Sequence, residues 1–259
     1  MQMIINQVVR KTVSVTHKIF TTYNCRNLSI INKKSQPNKQ VLDKHDIKLP
    51  EYMELYYFEE DKIDLLHSMI SNMIVLKEFV TPQEEENLMN ELEPLLKKRR
   101  YEFDHWDNAI HGFREIEHKK WNSDNDKILQ RVRDVAFDKK SVENVLEHVH
   151  VLDLSKDGKI NPHVDSIRFC GHTIAGLSLI SNSVMRLTRA VSEDSNMTAD
   201  DETKVLAVNV YLERRSLYIM RNVARYDFAH EILGSDKSLF KNNVVTRDRR
   251  ISVICRNHP

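Results

Sequence analysis

In "NPHVDSIRF", residues 161–169, His163 and Asp165 set an imidazole and a carboxylate two positions apart, directly after a stretch written like a strand. Residues two apart on extended chain point to the same face. The pair can therefore offer both groups to one metal ion. A third donor must come from elsewhere, and "RYDFAHEIL" places His230 at a strand-like position far downstream. Two imidazoles and one carboxylate on one side of a metal leave about three coordination positions open, the donor set of non-haem Fe(II) oxygenases. The same spacing recurs in "HWD" at 105–107, as a chain with 12 histidines allows by accident. That copy lies in "YEFDHWDNAIHGF", which shows no strand alternation and has no distal partner, so it reads as a decoy.

Oxygen activation at a lone ferrous ion needs further electrons, and a keto acid bound beside the metal can supply them. Such a co-substrate brings two carboxylates, which call for permanently charged, fork-shaped donors, and arginine has that form. In "RRISVICR", Arg250, Ser252 and Arg256 share one strand parity. Six extended residues span about 20 Å, so both forks reach one small diacid only by leaning together or through a bulge. Tyr218 in "SLYIM" is a further candidate hydroxyl for the same pocket. Each motif is weak alone, since Arg215 and Arg221 repeat the arginine spacing; the ordered combination is much stronger.

The elements that must position these groups follow from pattern. After about residue 146, "HVHVLDLS", "TIAGLSLIS", "VMRLTRA", "KVLAVNVYL", "RSLYIMRN" and "RRISVICR" are short, β-branched runs with polar punctuation. Six such segments packed this closely predict an antiparallel sandwich or barrel. Before them, Thr81-Pro82-Gln83-Glu84 predicts a capped helix start, followed by an apolar stripe of Leu88, Leu92, Leu95 and Leu96. A second helix is expected from Ser123, with Ile128, Val132 and Val135 on one face. Residues 192–203, "SEDSNMTADDET", read as an acidic solvated loop between two strands.

At 259 residues the chain suits one domain with a tail. With 39 basic and 38 acidic residues, no global field announces a nucleic-acid partner. Cys25, Cys170 and Cys255 are too scattered for a disulfide framework or zinc cluster, which points to a reducing compartment. No apolar run is long enough to span a bilayer. The first forty residues contain no Asp or Glu and carry seven Lys or Arg among hydroxyl and apolar residues. That is the pattern of a mitochondrial transit segment, so residues 1–40 are set apart from a catalytic domain over 41–259 in the mitochondrial matrix. Within that domain, helical support is expected over about 81–137 and a β core over about 146–256.

The order His-x-Asp, distal His, Arg-x5-Arg resembles that of the AlkB-type Fe(II)- and 2-oxoglutarate-dependent dioxygenases. The likeness extends through "TIAGLSL", "SVMRL", "ARYDFAHEIL" and "RRISVICR" to a mitochondrial branch of that family over residues 150–256. The resemblance implies a mainly β fold with flanking helices, a double-stranded β-helix of the jelly-roll, cupin-like kind. It implies that O2 and 2-oxoglutarate are consumed and that succinate and CO2 are released. Carried over by position, His163, Asp165 and His230 would hold Fe(II), while Tyr218, Arg250, Ser252 and Arg256 would hold 2-oxoglutarate. Two departures matter. Nucleobase-repairing members carry Asn and Tyr where this chain has Leu152 and Leu154, and an acid where it has Ile167. An enzyme that flips a base reads its edge with polar groups and stacks it, so DNA repair is disfavoured. The expected activity is hydroxylation of a protein by a monomeric enzyme, with a link to mitochondrial metabolism and cell-death control. Mitochondrial RNA (tRNA) demethylation and a 2-oxoglutarate-binding scaffold with little turnover are the alternatives.

Plainer readings attach to the remaining candidates. His148 and His150 are expected as ordinary strand residues. His105, His111, His118, Trp106 and Trp121 are expected in packing rather than on a substrate surface. Cys170 reads as a small buried thiol. Arg225 and Asp227 either orient a ligand or form a surface ion pair, and Lys97 to Arg100 read as a solvated helix end.

Overall fold

The computed structural model describes residues 47–58, 60–103, 109–138, 144–190 and 205–259. The transit-like segment, the "HWD" decoy with His105 and Trp106, and the acidic 192–203 stretch lie outside these residues.

Ten strands form one strongly curled antiparallel sheet. They are β1 (Met53–Tyr57), β2 (Met73–Leu76), β3 (Ile110–His118), β4 (Val149–His163), β5 (Thr173–Leu179), β6 (Ser183–Arg189), β7 (Ala207–Leu212), β8 (Ser216–Arg221), β9 (Phe228–Ile232) and β12 (Arg250–Arg256). Their order is β1-β7-β6-β9-β4-β12-β5-β8-β2, with β3 also on β4. The 15-residue β4 explains the curl. Its first half pairs with β12 at residues 150–154, and its end pairs with β9 at Ile160 and His163. One strand thus passes from one face of a jelly roll to the other, which is the double-stranded β-helix the family likeness implies. A separate hairpin, β10 (Leu239–Phe240) with β11 (Asn243–Val244), stands apart from this sheet.

Four α-helices lie among the described residues: α1 (Ile63–Asn72), α2 (Pro82–Leu96), α3 (Ser123–Ala136) and the short α4 (Asn222–Tyr226). The start of α2 is as expected. Thr81 accepts from the Glu84 amide, Glu84 accepts from the Thr81 amide, and Pro82 occupies the first turn. Asn122 caps α3 through Asp124 and Asn125. Val135 is exposed, however, and Leu129 and Ala136 join Ile128 and Val132 in the buried stripe. An i, i+4 row drifts around a 3.6-residue helix, and the contact face follows that drift. The stretch expected as helical support also contains β3, and β1 and β2 extend the sheet beyond 146–256. In β3, Gly112 at φ +67 and a register shift between His111 and Phe113 break the alternation that identifies a strand in sequence.

Two apolar layers use opposite faces of the same strands. Ile251, Val253 and Cys255 of β12 pack with Ala175, Leu177, Leu217 and Ile219 against Leu88, Leu92, Ile128 and Val132 of the helices. The alternate residues face the inside of the roll, where Leu152, Leu154, Met185, Leu187, Tyr218, Met220 and Phe228 form the second core. Between sheet and helix sits a polar pin: fully buried Asp153 accepts from Arg114, Arg249 and Tyr101, and Arg249 also reaches Glu93 of α2. Because side chains alternate with period two, helix packing on one face obliges Arg250, Ser252 and Arg256 to point into the roll.

Candidate metal and co-substrate site

His163 closes β4, and its Cα pairs across the ladder with that of His230 on β9. The two rings stand 4.3 Å apart between centroids. Asp165 follows two residues later, its Oδ1 3.2 Å from His163 Nε2. One donor atom from each of the three lies within 4.8 Å of the others. His163 Nδ1 sits 2.9 Å from the Asn161 carbonyl. Donating there directs the other ring nitrogen at the site, the arrangement that orients metal-binding imidazoles. His230 Nδ1 is buried with no partner among the described residues.

The electrostatics keep His230 and Asp165 in metal-binding forms. Burial pushes the His230 pKa down to about 4, assisted by His163 and Arg225 and opposed by Asp165, so the ring is neutral. Burial acts to raise the Asp165 carboxyl, but the hydrogen bond with His163 and the positive charge of Arg225 act against it and prevail. The carboxyl is held well below the ordinary range. Neutral imidazoles and an ionised carboxylate are the forms that bind a metal.

All seven sequence-predicted site residues line one cavity, together with Leu152, Ile160, Met185 and Ile232. Arg250 is buried, and its Nε donates to Ser178 Oγ at 3.2 Å. The Tyr218 hydroxyl is beside it; burial pushes the phenol pKa up while the guanidinium draws it down. Tyr218 lies opposite Gly176 in the β5–β8 ladder, and a Cβ at Gly176 would come within 2.5 Å of the ring. No side chain other than hydrogen leaves room there. Arg250 Nη2, Ser252 Oγ and Arg256 Nε are buried without partners among the described residues. Such unmet donors cost about 1–3 kcal/mol each, more when charged. A diacid in this cavity would satisfy them, so the donor set fits 2-oxoglutarate.

The arginines reach the cavity without a bulge. The register of β12 against β4 and β5 is regular, and Arg250 and Arg256 enter from opposite ends. Arg256 stands at the mouth, where Nη2 donates to Glu117 Oε1 at 2.9 Å. His150, expected as an ordinary strand residue, also lines the cavity and pairs through Nε2 with Glu115 at 2.9 Å. His118 and Trp121 do pack as expected: their rings meet edge to face at 4.6 Å, and His118 reaches Glu91 of α2.

Arg225 does not form the surface ion pair considered for it. It is fully buried and donates to the carbonyls of Gly171 and Cys170 and to the Cys170 sulfur, whereas Asp227 is exposed. It therefore ties down the segment that follows Asp165 and adds positive charge behind the carboxylate. Sequence pattern misses this because nothing local distinguishes a buried arginine from a surface one. Ile167 and Phe169 in that segment are 61% and 70% exposed. Phe169, Glu115, Glu117, His148 and His150 line the outer groove that leads to His163 and Asp165.

No family model matches the chain. It is 51% identical over 181 residues to the mitochondrial alpha-ketoglutarate-dependent dioxygenase alkB homolog 7 of Mus musculus, covering 70% of this chain and 76% of that protein. The Bos taurus counterpart is 50% identical over 186 residues, covering 72% and 78%. Among solved structures, a Pseudomonas putida prolyl-4-hydroxylase superposes with a TM-score of 0.48 at 12% identity, covering 77% of this chain and 98% of that one.

Proposed function

This chain belongs to the alkB homolog 7 group of alpha-ketoglutarate-dependent dioxygenases, and from that premise we propose that it hydroxylates a protein substrate in the mitochondrial matrix. One observation carries the assignment of residues: the His163–Asp165–His230 cluster and the unmet donors of Arg250, Ser252 and Arg256 share one cavity.

His163, Asp165 and His230 would hold Fe(II). When bound, iron and 2-oxoglutarate supply the oxidising chemistry with O2, releasing succinate and CO2. The protein's own contribution is placement. Asn161 sets the His163 ring, and Arg225 sets the segment carrying Asp165. Arg250, Tyr218 and Ser252 offer a charged fork and two hydroxyls to the inner carboxylate, while Arg256 offers its fork nearer the mouth. Leu152, Ile160, Met185 and Ile232 add apolar wall to the same cavity.

The substrate side favours an extended chain over a flipped DNA base. Leu152 and Leu154 are buried in the inner core, so the positions that carry Asn and Tyr in base-repairing members present no polar edge. Exposed Ile167 and Phe169 instead offer apolar contact beside the metal cluster. RNA demethylation is the second reading, favoured by Lys98, Arg99 and Arg100, which line a groove sharing Glu115, Glu117 and His150 with the active-site mouth. Succinate release from 2-oxoglutarate is expected to require Fe(II) and to vanish in His163→Ala; turnover that survives in this variant overturns the assignment. Substrate trapped from matrix lysate with an inert 2-oxoglutarate mimic, then given Fe(II), O2 and 2-oxoglutarate in place of the mimic and read by mass spectrometry, separates the readings. Peptides gaining one oxygen support protein hydroxylation, and RNA losing methyl groups supports the second.

A further inference from the structure

Arg247 and Arg250 are two of the largest side chains that the fold buries completely, each 1% exposed. Both lie against β4. Arg250 pairs in register with Leu154 of β4. Arg247 reaches β4 just beyond, where its Nη2 donates to the carbonyls of Lys156 (2.8 Å) and Gly158. Its Nε and Nη1 are buried with no partner, as is Nη2 of Arg250. Among the described residues neither guanidinium forms an ion pair. Asp157 and Asp236 act on Arg247 only through space, and Arg250 acts against it as a like charge.

Burying one unpaired charge costs several kcal/mol, and setting a second of the same sign beside it costs more. A fold keeps such a pair where an anion belongs between or before them. Arg250 already faces the co-substrate cavity with its own donor unmet. Arg247, three residues earlier in the chain, lies near enough for the two charges to oppose each other, and is held by two carbonyls that leave the rest of its fork free.

We propose that Arg247 is a specificity-determining residue for the dicarboxylate co-substrate, adding a second positive charge near Arg250 for the carboxylate farthest from the metal. This rests on the assignment of the cavity to 2-oxoglutarate. The doubled charge rewards a distal carboxylate and gives nothing to a 2-oxo acid ending in a methyl group, so discrimination between the two is its signature.

The test titrates 2-oxoglutarate and 2-oxopentanoate calorimetrically into the full chain loaded with Mn(II). Arg247→Gln is expected to weaken 2-oxoglutarate about tenfold and leave 2-oxopentanoate unchanged. Arg247→Lys keeps a charge and a carbonyl bond but loses the fork; it is expected to weaken 2-oxoglutarate several-fold, which provides a readout should the glutamine variant not fold. Unchanged 2-oxoglutarate binding in either folded variant, or equal losses for both ligands, overturns the proposal. Arg250→Ala is the control for the underlying reading. If it also leaves 2-oxoglutarate binding intact, the cavity assignment fails; if it abolishes binding while the Arg247 variants do not, only the present inference fails.

Discussion

His230 shows how one residue can be tuned for a metal at the expense of the metal-free fold. Its folded pKa of about 4 lies below the ordinary imidazole value of 6.5, chiefly through burial. A histidine whose pKa is depressed on folding takes up its proton more readily when unfolded. Stability of the metal-free protein is therefore expected to be flat above pH 6.5 and to fall as pH drops from 6.5 toward 4, by roughly 3 kcal/mol at most. Asp165 acts in the same direction at lower pH: its depressed carboxyl adds stability above the ordinary carboxylate range that is lost only as pH falls below about 4. The two windows separate, so thermal melts of metal-free wild type and His230→Gln between pH 7 and 4.5 isolate the histidine. A wild-type loss that persists in full in the variant would show that other groups cause it. At this scale the metal cluster was readable in sequence, because ligands two apart on a strand must share a face. The buried arginines 225 and 247 were not, because burial is a property of what packs over a side chain, which pattern along the chain does not encode.

At the scale of elements, the site is a consequence of strand parity. In β12, Ile251, Val253 and Cys255 belong to the helix-facing core, so Arg250, Ser252 and Arg256 can only face the roll. This much could be read from "RRISVICR" alone. Contacts between strands could not: the ladder opposition of Gly176 and Tyr218, and of His163 and His230, depends on register across residues distant in sequence. Nor could β3, where a bulge and a left-handed glycine interrupt alternation. The glycine opposite Tyr218 gives an element-level prediction. In Gly176→Ala the new methyl must displace the ring, which lies 2.5 Å from its position and has a buried guanidinium beyond it. Overpacking of this kind costs about 1–3 kcal/mol, and the ring moves at the expense of the co-substrate contact. KM for 2-oxoglutarate is expected to rise several-fold with a smaller change in kcat. A variant that loses stability but keeps its KM would mean the phenol does not touch the co-substrate.

For the whole molecule, the two cores divide the labour between holding the fold and holding ligand. Helices α2 and α3 cover one face of the strands, and the ligand cavity occupies the other. Ligand that binds only the native state adds about 2.7 kcal/mol at a hundred times its Kd. For a domain of this size, each kcal/mol moves Tm by about 2–4 °C. Mn(II) with 2-oxoglutarate is thus expected to raise Tm by about 5–10 °C. Leu88→Ala, deep in the helix layer, should lower the unliganded Tm through a loss of about 2–5 kcal/mol. Its ligand-induced increment should nonetheless match wild type, because distant sites without shared partners add independently. Arg250→Ala should do the reverse, shrinking the increment because the charge it removes belongs to the cavity and was unpaired without ligand. Differential scanning fluorimetry of the two variants and their double mutant closes the cycle. If the increment falls with Leu88, the helix layer is coupled to the site through the strands that both share, and the division of labour drawn from the two faces of β12 is wrong.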